Sequence, residues 1–410
     1  MKRTVYLIGT GPGDPRLLTG RARALIHSCG RVFASGARLA EQVKPIRADA
    51  ETIRLAELEE RVLTCDAAEI AILVSGDTGF FSAAETFVQK LAGKAACEMV
   101  NGVSSLQYLC AKLGTGYEQV KIVSLHGREG FFLGQIAYHP IVFLLTGGKI
   151  KAQDICFQLA ESGLGSVHVT AGEKLSLQEE RIISGTAAEL SRMKFDDLTA
   201  LLVENPAFTD CSAPLKDNQF TRGDVPMTKE EVRWLSAAKL AVCPGNVIYD
   251  IGAGTGSVSV ELARRAQDGM VYAIEREDDA LDLIAKNRNR LGAYNVTVVK
   301  GEAPACLTGL PRPDRAFIGG SGGRLGEILK RLTNANPHIR VTVNAVSLET
   351  LSEAVDVMTR MGLTPEIVQI SAARAKKTGN HHLMMAQNPV YIITGEANGG
   401  TCENAQEDER

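Results

Sequence analysis

Val247-Ile248-Tyr249-Asp250-Ile251 is an apolar run that breaks into Gly252-Ala253-Gly254-Thr255-Gly256, a turn with glycine at every second position. Ser257 to Ala266 follows with helical spacing of Val258 and Leu262. Strand, glycine turn and helix start together form the geometry that lets a backbone approach a nucleotide closely. The next apolar run, Val271 to Ile274, ends in Glu275, about 20 residues past the turn, where a carboxylate can accept both hydroxyls of a ribose.

Three readings compete for this pattern. A dinucleotide fingerprint wants G-x-G-x-x-G, and Asp250 ahead of the turn suits a phosphate badly. The same charge suits the ammonium of a methionine moiety, so S-adenosylmethionine fits, with Asp250, Gly252, Gly254, Thr255, Gly256 and Glu275 around it. A turn with no ligand is the third reading.

The chain has 410 residues, enough for two or three domains with cores of their own. A net charge of −3 argues against tight non-specific nucleic-acid binding, which needs a basic surface. Nine cysteines are scattered without a C-x-x-C pair and are expected to be reduced thiols. No His/Cys grouping has metal-site spacing, and no apolar run reaches membrane-spanning length, so a cytoplasmic protein without a bound metal is expected.

From the start, Thr4 to Ile8 is a strand, Gly9-Thr10-Gly11-Pro12-Gly13-Asp14-Pro15 a turn, and Leu17 to about Cys29 a helix. The same grammar repeats at Ile70–Ser75 with Gly76-Asp77-Thr78-Gly79 and a helix from Phe80 to Leu91. It repeats again at Glu98–Val100 with Asn101-Gly102-Val103-Ser104-Ser105 and a helix through Leu113. Strands alternating with helices imply a parallel sheet that binds ligands beyond the strands' carboxyl ends, which puts these turns on one rim. After Gly114 the pattern restarts with Ile122–Leu125 leading to His126-Gly127-Arg128, and further strands at Ile141–Leu145, Val167–Thr170 and Ala200–Glu204 make a second α/β lobe.

The loops GTGPGDPRLLT, SGDTGFF and NGVSSLQY together resemble the tetrapyrrole methylase family, more narrowly its precorrin carbon-5 methyltransferases. The resemblance covers residues 1 to about 205. It implies a two-lobed fold with the methyl donor against Gly76, Asp77, Phe80, Ser104 and Ser105, and with Pro12 lining the substrate trough. Thr78 stands where many relatives carry proline. The expected first domain is residues 1–207, with lobes at about 1–114 and 117–207.

Residues 208–226 lose apolar periodicity and gather proline, aspartate and glycine, as a linker does. Thr228 with Glu231 reads as a capping box opening the next domain, 227–397. Seven strand candidates follow, the last entering antiparallel in a class I (Rossmann-like) methyltransferase fold. The fourth ends in Gly319-Gly320-Ser321-Gly322-Gly323, where amino-methylating nucleic-acid enzymes carry an Asp/Asn-Pro-Pro-aromatic motif. This side-chain-poor shelf suits a large flat acceptor. Residues 398–410 read as a disordered tail.

TKEEVR, DIGAGTGSVSVELA, VYAIER, GEAPACL, FIGGSGG and NAVSLETL together resemble the precorrin carbon-15 methyltransferases that also decarboxylate the ring-C acetate. That resemblance implies donor contacts at Thr228, Gly252, Gly254, Gly256, Glu275 and Ala303. A carbon-5 and a carbon-15 enzyme in one α/β chain is similar to the bifunctional precorrin-6B 5,15-methyltransferases (decarboxylating) of cobalamin biosynthesis. The family implies one S-adenosylmethionine per domain, a polycarboxylate tetrapyrrole partner and self-association. Arg374, Lys376 and Lys377 are the expected carboxylate clamps, and Asn344 and Glu349 are assigned to the reacting ring. Two other readings are a methyltransferase of protein or RNA, and a half that binds the donor without turnover.

Overall fold

The computed structural model describes residues 3–125 and 131–397, so the His126-Gly127-Arg128 turn and the tail from residue 398 lie outside the described residues. The chain divides into two compact units. One is built from Met1–Glu129, Ile141–Ala160 and Gly165–Glu204, the other chiefly from Asn205–Arg410.

The first unit holds two five-stranded sheets. In the first, β1 (Thr4–Gly9), β2 (Arg31–Ala34), β3 (Glu51–Thr52), β4 (Glu69–Val74) and β5 (Ala96–Val100) lie in the order β3-β2-β4-β1-β5, all parallel. These strands are largely apolar because both faces are covered. Ile70, Ile72 and Val74 enter the core on one face, while Ala71 and Leu73 enter that on the other, the period of two expected of a strand. The second sheet contains β6 (Lys121–Ser124), β7 (Ile141–Leu145), β8 (His168–Glu173), β9 (Arg181–Thr186) and β10 (Thr199–Glu204), in the order β6-β7-β10-β8-β9. Only β6 and β7 pair in parallel here.

Two helices start later than their spacing predicts. Pro15–Leu17 is a separate 3-10 turn capped by Asp14, and the helix proper is Gly20–Ser28, capped by Thr19. The helix after Asp77 is Ala84–Leu91, because Asp77 Oδ2 accepts the Gly79 N–H and holds that stretch in a turn.

In the second unit, β11 (Val247–Ile251), β12 (Met270–Glu275), β13 (Val296–Lys300), β14 (Arg315–Ile318), β15 (Arg340–Ala345) and β16 (Leu363–Ile370) precede a hairpin of β17 (Ala373–Thr378) and β18 (His381–Ala386), and β19 (Val390–Ala397) completes the unit. The seven-stranded order is β13-β12-β11-β14-β15-β19-β16, with β19 antiparallel to both neighbours, as the class I fold requires. The hairpin pairs Ala373 with Ala386 through Thr378 with His381, antiparallel. Its residues are almost all exposed, and it carries His381 and His382 on a strand.

The segment expected to be a linker packs as core. Leu215 and Phe220 are buried among Val258, Leu262 and Phe317 of the second unit. Between them, buried Asp217 accepts from Arg233 Nη1 at 3.1 Å, and Arg233 is wholly buried. The same guanidinium donates to the Leu215 and Thr228 carbonyls and lies 4.6 Å from the Phe220 ring centroid. The Thr228 capping box does not form. The helix is Glu230–Lys239 with Lys229 at its cap and no side-chain cap bond, while Glu231 is drawn to Arg374.

Among the described residues seven cysteines are free, and Cys243 departs from the expectation in being disulfide-bonded. No helix among the described residues is long and apolar enough to cross a membrane.

Removing one partner of a buried ion pair leaves the other charge uncompensated, at about 3–5 kcal/mol. Asp217→Ala is therefore expected to lower the urea-unfolding free energy of the second unit by about that amount, and the double change Asp217→Leu with Arg233→Met to recover most of it. Equal stability of Asp217→Ala and wild type would contradict the role given to this pair.

Candidate active sites

In the second unit, β11 runs out at Ile251, and Gly252, Gly254 and Gly256 all take positive φ. A Cβ on Gly252 would stand 2.7 Å from the Gly320 backbone, so the loops after β11 and β14 touch main chain to main chain. Gly254 N–H donates to Glu275 Oε2 at 2.9 Å, and Glu275 Oε1 accepts from the N–H groups of Arg276 and Glu277. These loops border a cavity of about 1410 Å³.

Thr228, Gly252, Gly254, Thr255, Glu275 and Ala303 all line this cavity, as does Asn344 at the end of β15. Asn344 Oδ1 accepts from the buried Ser236 hydroxyl at 3.0 Å, leaving its Nδ2 without a partner. The Thr255 hydroxyl is likewise buried and unpartnered. A turn without side chains, a carboxylate at the end of β12 and an orphaned hydroxyl fit an adenosyl donor with a ribose diol. The volume exceeds the ~300–1,000 Å³ usual for one small ligand, which leaves room for a large acceptor.

Several expected site residues fall elsewhere. Gly256 does not line the cavity; a Cβ there would meet Ile284 at 3.2 Å, so this glycine serves helix packing. Glu349 is exposed in a shallow depression on the Leu348–Arg360 helix, away from the cavity. Arg374 is no free clamp. It donates to both oxygens of Glu231 and to Asp217 Oδ2, which anchors the hairpin. Lys376 and Lys377 are exposed on β17 and do not line the cavity. The cavity instead presents Lys229 and Lys286, neither of them expected from the sequence, although Lys229 stands inside the TKEEVR motif.

In the first unit, the loops after β1, β4 and β5 meet at three glycines. A Cβ on Gly102 would collide with the Gly76 carbonyl, and one on Gly9 would come within 2.7 Å of both neighbouring loops. Gly11 and Gly76 exchange N–H···O bonds of 3.0 Å. Asp77 Oδ1 accepts the Gly102 N–H at 3.0 Å and so ties the β4 loop to the β5 loop. Ser104 is committed to its helix. Its hydroxyl accepts the Gln107 N–H while its own N–H donates to Gln107 Oε1. Phe80 packs on Phe81 and Phe143, and is core at least as much as lining. Ser105 opens the helix and Pro12 is partly buried at the rim. Asp77, Gly76 and Pro12 thus gather at one rim, while Ser104 and Phe80 have other work.

Asp250 does not reach the cavity either. It is wholly buried under the turn, hydrogen-bonded to the Ser259 hydroxyl, with Oδ1 unpartnered. Desolvation, aided by the charge on Glu275, pushes its carboxyl from 3.8 up to about 7, against the opposing Ser259 bond. The unfolded chain loses this proton near 3.8 and the folded chain only near 7, so stability falls as pH rises through that window. A shift of this size corresponds to roughly 4 kcal/mol. Wild type is expected to lose about that much unfolding free energy relative to Asp250→Asn between about pH 4 and pH 8. Parallel pH profiles for the two proteins would contradict this.

With this geometry in place, comparison with known proteins is specific. A tetrapyrrole (corrin/porphyrin) methylase family matches residues 4–191, and a precorrin methyltransferase domain matches residues 219–395. The precorrin-6Y C(5,15)-methyltransferase [decarboxylating] of a Sinorhizobium species is 30% identical over 397 residues, covering 95% of this chain and 94% of its own. The probable cobalt-precorrin-6B C(15)-methyltransferase (decarboxylating) of Pyrobaculum calidifontis is 41% identical over 186 residues, 45% of this chain and 95% of its own. A solved precorrin-6Y C5,15-methyltransferase from Geobacter metallireducens is 37% identical, covers 44% of this chain and 97% of its own, and has a TM-score of 0.43. Matched along almost its whole length by a relative that spans both units, the chain belongs to the family of decarboxylating precorrin-6Y C5,15-methyltransferases.

Proposed function

We propose that this chain methylates a reduced precorrin twice in cobalamin biosynthesis, at carbon 5 in the first unit and at carbon 15 in the second, where the ring-C acetate is also decarboxylated. The observation that carries the reading is the second unit's cavity, too large for a donor alone, bordered by both the glycine turn and the Gly319–Gly323 shelf. One S-adenosylmethionine in each unit would supply an electrophilic methyl group on a positively charged sulfur.

The work left to the protein is placement. A reduced tetrapyrrole's meso carbon is enamine-like and attacks such a methyl directly, so alignment supplies most of the rate and no strong base is needed. Glu275 holds the ribose and the Thr255 hydroxyl takes a further donor group. The Asn344 amide, oriented by Ser236, faces the acceptor, and Lys229 and Lys286 take carboxylates that Arg374 cannot. The conjugated ring is itself the electron sink for loss of carbon dioxide. The acceptor is a free tetrapyrrole rather than nucleic acid, a reading that the net charge of −3 supports. Cytoplasmic location and self-association belong to the same proposal.

Mass spectrometry of the product formed from metal-free precorrin-6B and S-adenosylmethionine tests this. Wild type is expected to add two methyls and remove one carboxyl. Asp77→Ala should drop the methylation that leaves every carboxyl in place, and Gly254→Arg the methylation coupled to decarboxylation. Glu275→Gln is expected to weaken S-adenosylhomocysteine binding about 10–100-fold at one site and spare the other. Turnover of the cobalt form alone would reassign the substrate, and turnover of neither form would remove the tetrapyrrole reading.

A further inference from the structure

We propose that Arg38 anchors the acceptor in the first unit, its guanidinium taking a carboxylate of the tetrapyrrole at the rim formed by the loops after β1 and β4. The proposal rests on the polycarboxylate acceptor of the preceding reading. Arg38 lies in the first turn of the Ala37–Val43 helix. Its Nη1 donates to the Pro12 carbonyl at 3.3 Å and its Nη2 to the Ser75 hydroxyl at 3.0 Å. Pro12 follows β1 and Ser75 follows β4, so one side chain spans two adjacent loops at the carboxyl ends of a parallel sheet, where ligands bind.

The side chain is held on a fixed base. One helical turn on, buried Gln42 donates to the Thr10 carbonyl at 2.7 Å and accepts from the Thr10 hydroxyl at 3.2 Å. These bonds pin the helix to the loop after β1, so the position of Arg38 does not depend on its own contacts.

Arg38 stands at that rim without a counter-charge. Arg3 and Arg23 of the same unit also have only carbonyl partners, but neither spans the loops after β1 and β4. Arg16, Arg21, Arg31, Arg47 and Arg61 of the same unit each hold a carboxylate. Arg38 is half-buried, and among the described residues it has only a carbonyl and a hydroxyl as partners. Burial pulls it below the usual arginine range, and no neighbouring charge opposes that shift. A guanidinium carries five N–H donors, so three remain for a planar, two-oxygen acceptor. Desolvating a cation without a partner costs stability, and a binding site recovers that cost when the anion arrives.

The test uses full-length protein with precorrin-6B and follows the methylation that leaves all carboxyls in place. Arg38→Gln is expected to raise KM for the tetrapyrrole about 10–100-fold, the effect of losing a charge-assisted pair. Its kcat and its affinity for S-adenosylhomocysteine should stay within about twofold of wild type. Arg38→Lys keeps the charge but not the fork, and should fall between the two. An unchanged KM in Arg38→Gln overturns the proposal, as does a parallel loss of S-adenosylhomocysteine binding, which would make Arg38 a support for the donor loop. Wild type that methylates no tetrapyrrole overturns the acceptor reading and this proposal together, a result the wild-type control separates from the other two.

Discussion

Two loops can touch main chain to main chain only where no side chain stands between them, and each unit is organised around such a contact. In the second unit it joins the turns after β11 and β14 at Gly252 and Gly320. In the first it joins three turns at Gly9, Gly76 and Gly102. Both contacts lie at the carboxyl edge of parallel strands, where ligands of such sheets bind. Each is closed by one carboxylate accepting an N–H from a neighbouring loop, Glu275 from Gly254 and Asp77 from Gly102. Close approach shapes the rim, and the carboxylate keeps it in register. The two folds are unrelated in strand order, yet each makes a rim without side chains by the same means.

A second constraint is electrostatic. Arg233 is wholly buried, and its charge requires Asp217 beside it. Asp217 lies in the segment that precedes the second sheet, so that segment is bound into the unit whatever its composition. Asp217 also accepts from Arg374 at the start of β17. One carboxylate therefore ties the entering segment, the Glu230–Lys239 helix and the hairpin together. Ile370, Ala372, Gln387 and Asn388 flank that hairpin and line the cavity. The charge that looked like a substrate clamp supports the cavity wall instead.

What is legible in the sequence follows from this physics. Parallel strands covered on both faces leave continuous apolar runs, and close-approach turns leave glycines, so β1, β4, β11 and β12 with their turns stand out from the residue pattern alone. The hairpin β17–β18 buries almost nothing, so no hydrophobic period marks it. Residues 209–226 look like a linker because they gather proline, aspartate and glycine, while the two apolar residues that bury, Leu215 and Phe220, are too few to make a period. Side-chain roles are the least legible, because composition shows a charge or a hydroxyl but not its partner. Ser104 looks free to meet a ligand and caps a helix. Thr228 looks like a cap and lines the cavity, and Asp250 reads as a ligand but lies beneath the turn. Arg38 carries no motif at all, and only its place across the Pro12 and Ser75 loops, without a counter-charge there, marks it.

The chemistry explains why such sites need few catalytic side chains. When the acceptor carbon is already nucleophilic and the ring already an electron sink, strong acids or bases at the reacting atoms would add little. A reactive base near an electrophilic methyl would itself be a competing target. The shelf at Gly319–Gly323 is consistent with this, since it presents backbone and empty space where a nitrogen-methylating site would present hydrogen-bonding side chains. Orientation of a large acceptor then rests on groups at its periphery, and cations without carboxylate partners suit that task. Among the described residues, Lys229 and Lys286 in the second unit and Arg38 in the first share that property, although they stand on different folds. A substrate recognised by its rim of carboxylates can be presented to two donors by different scaffolds, provided each scaffold leaves a positive charge unpaired at the right distance from its glycine turn.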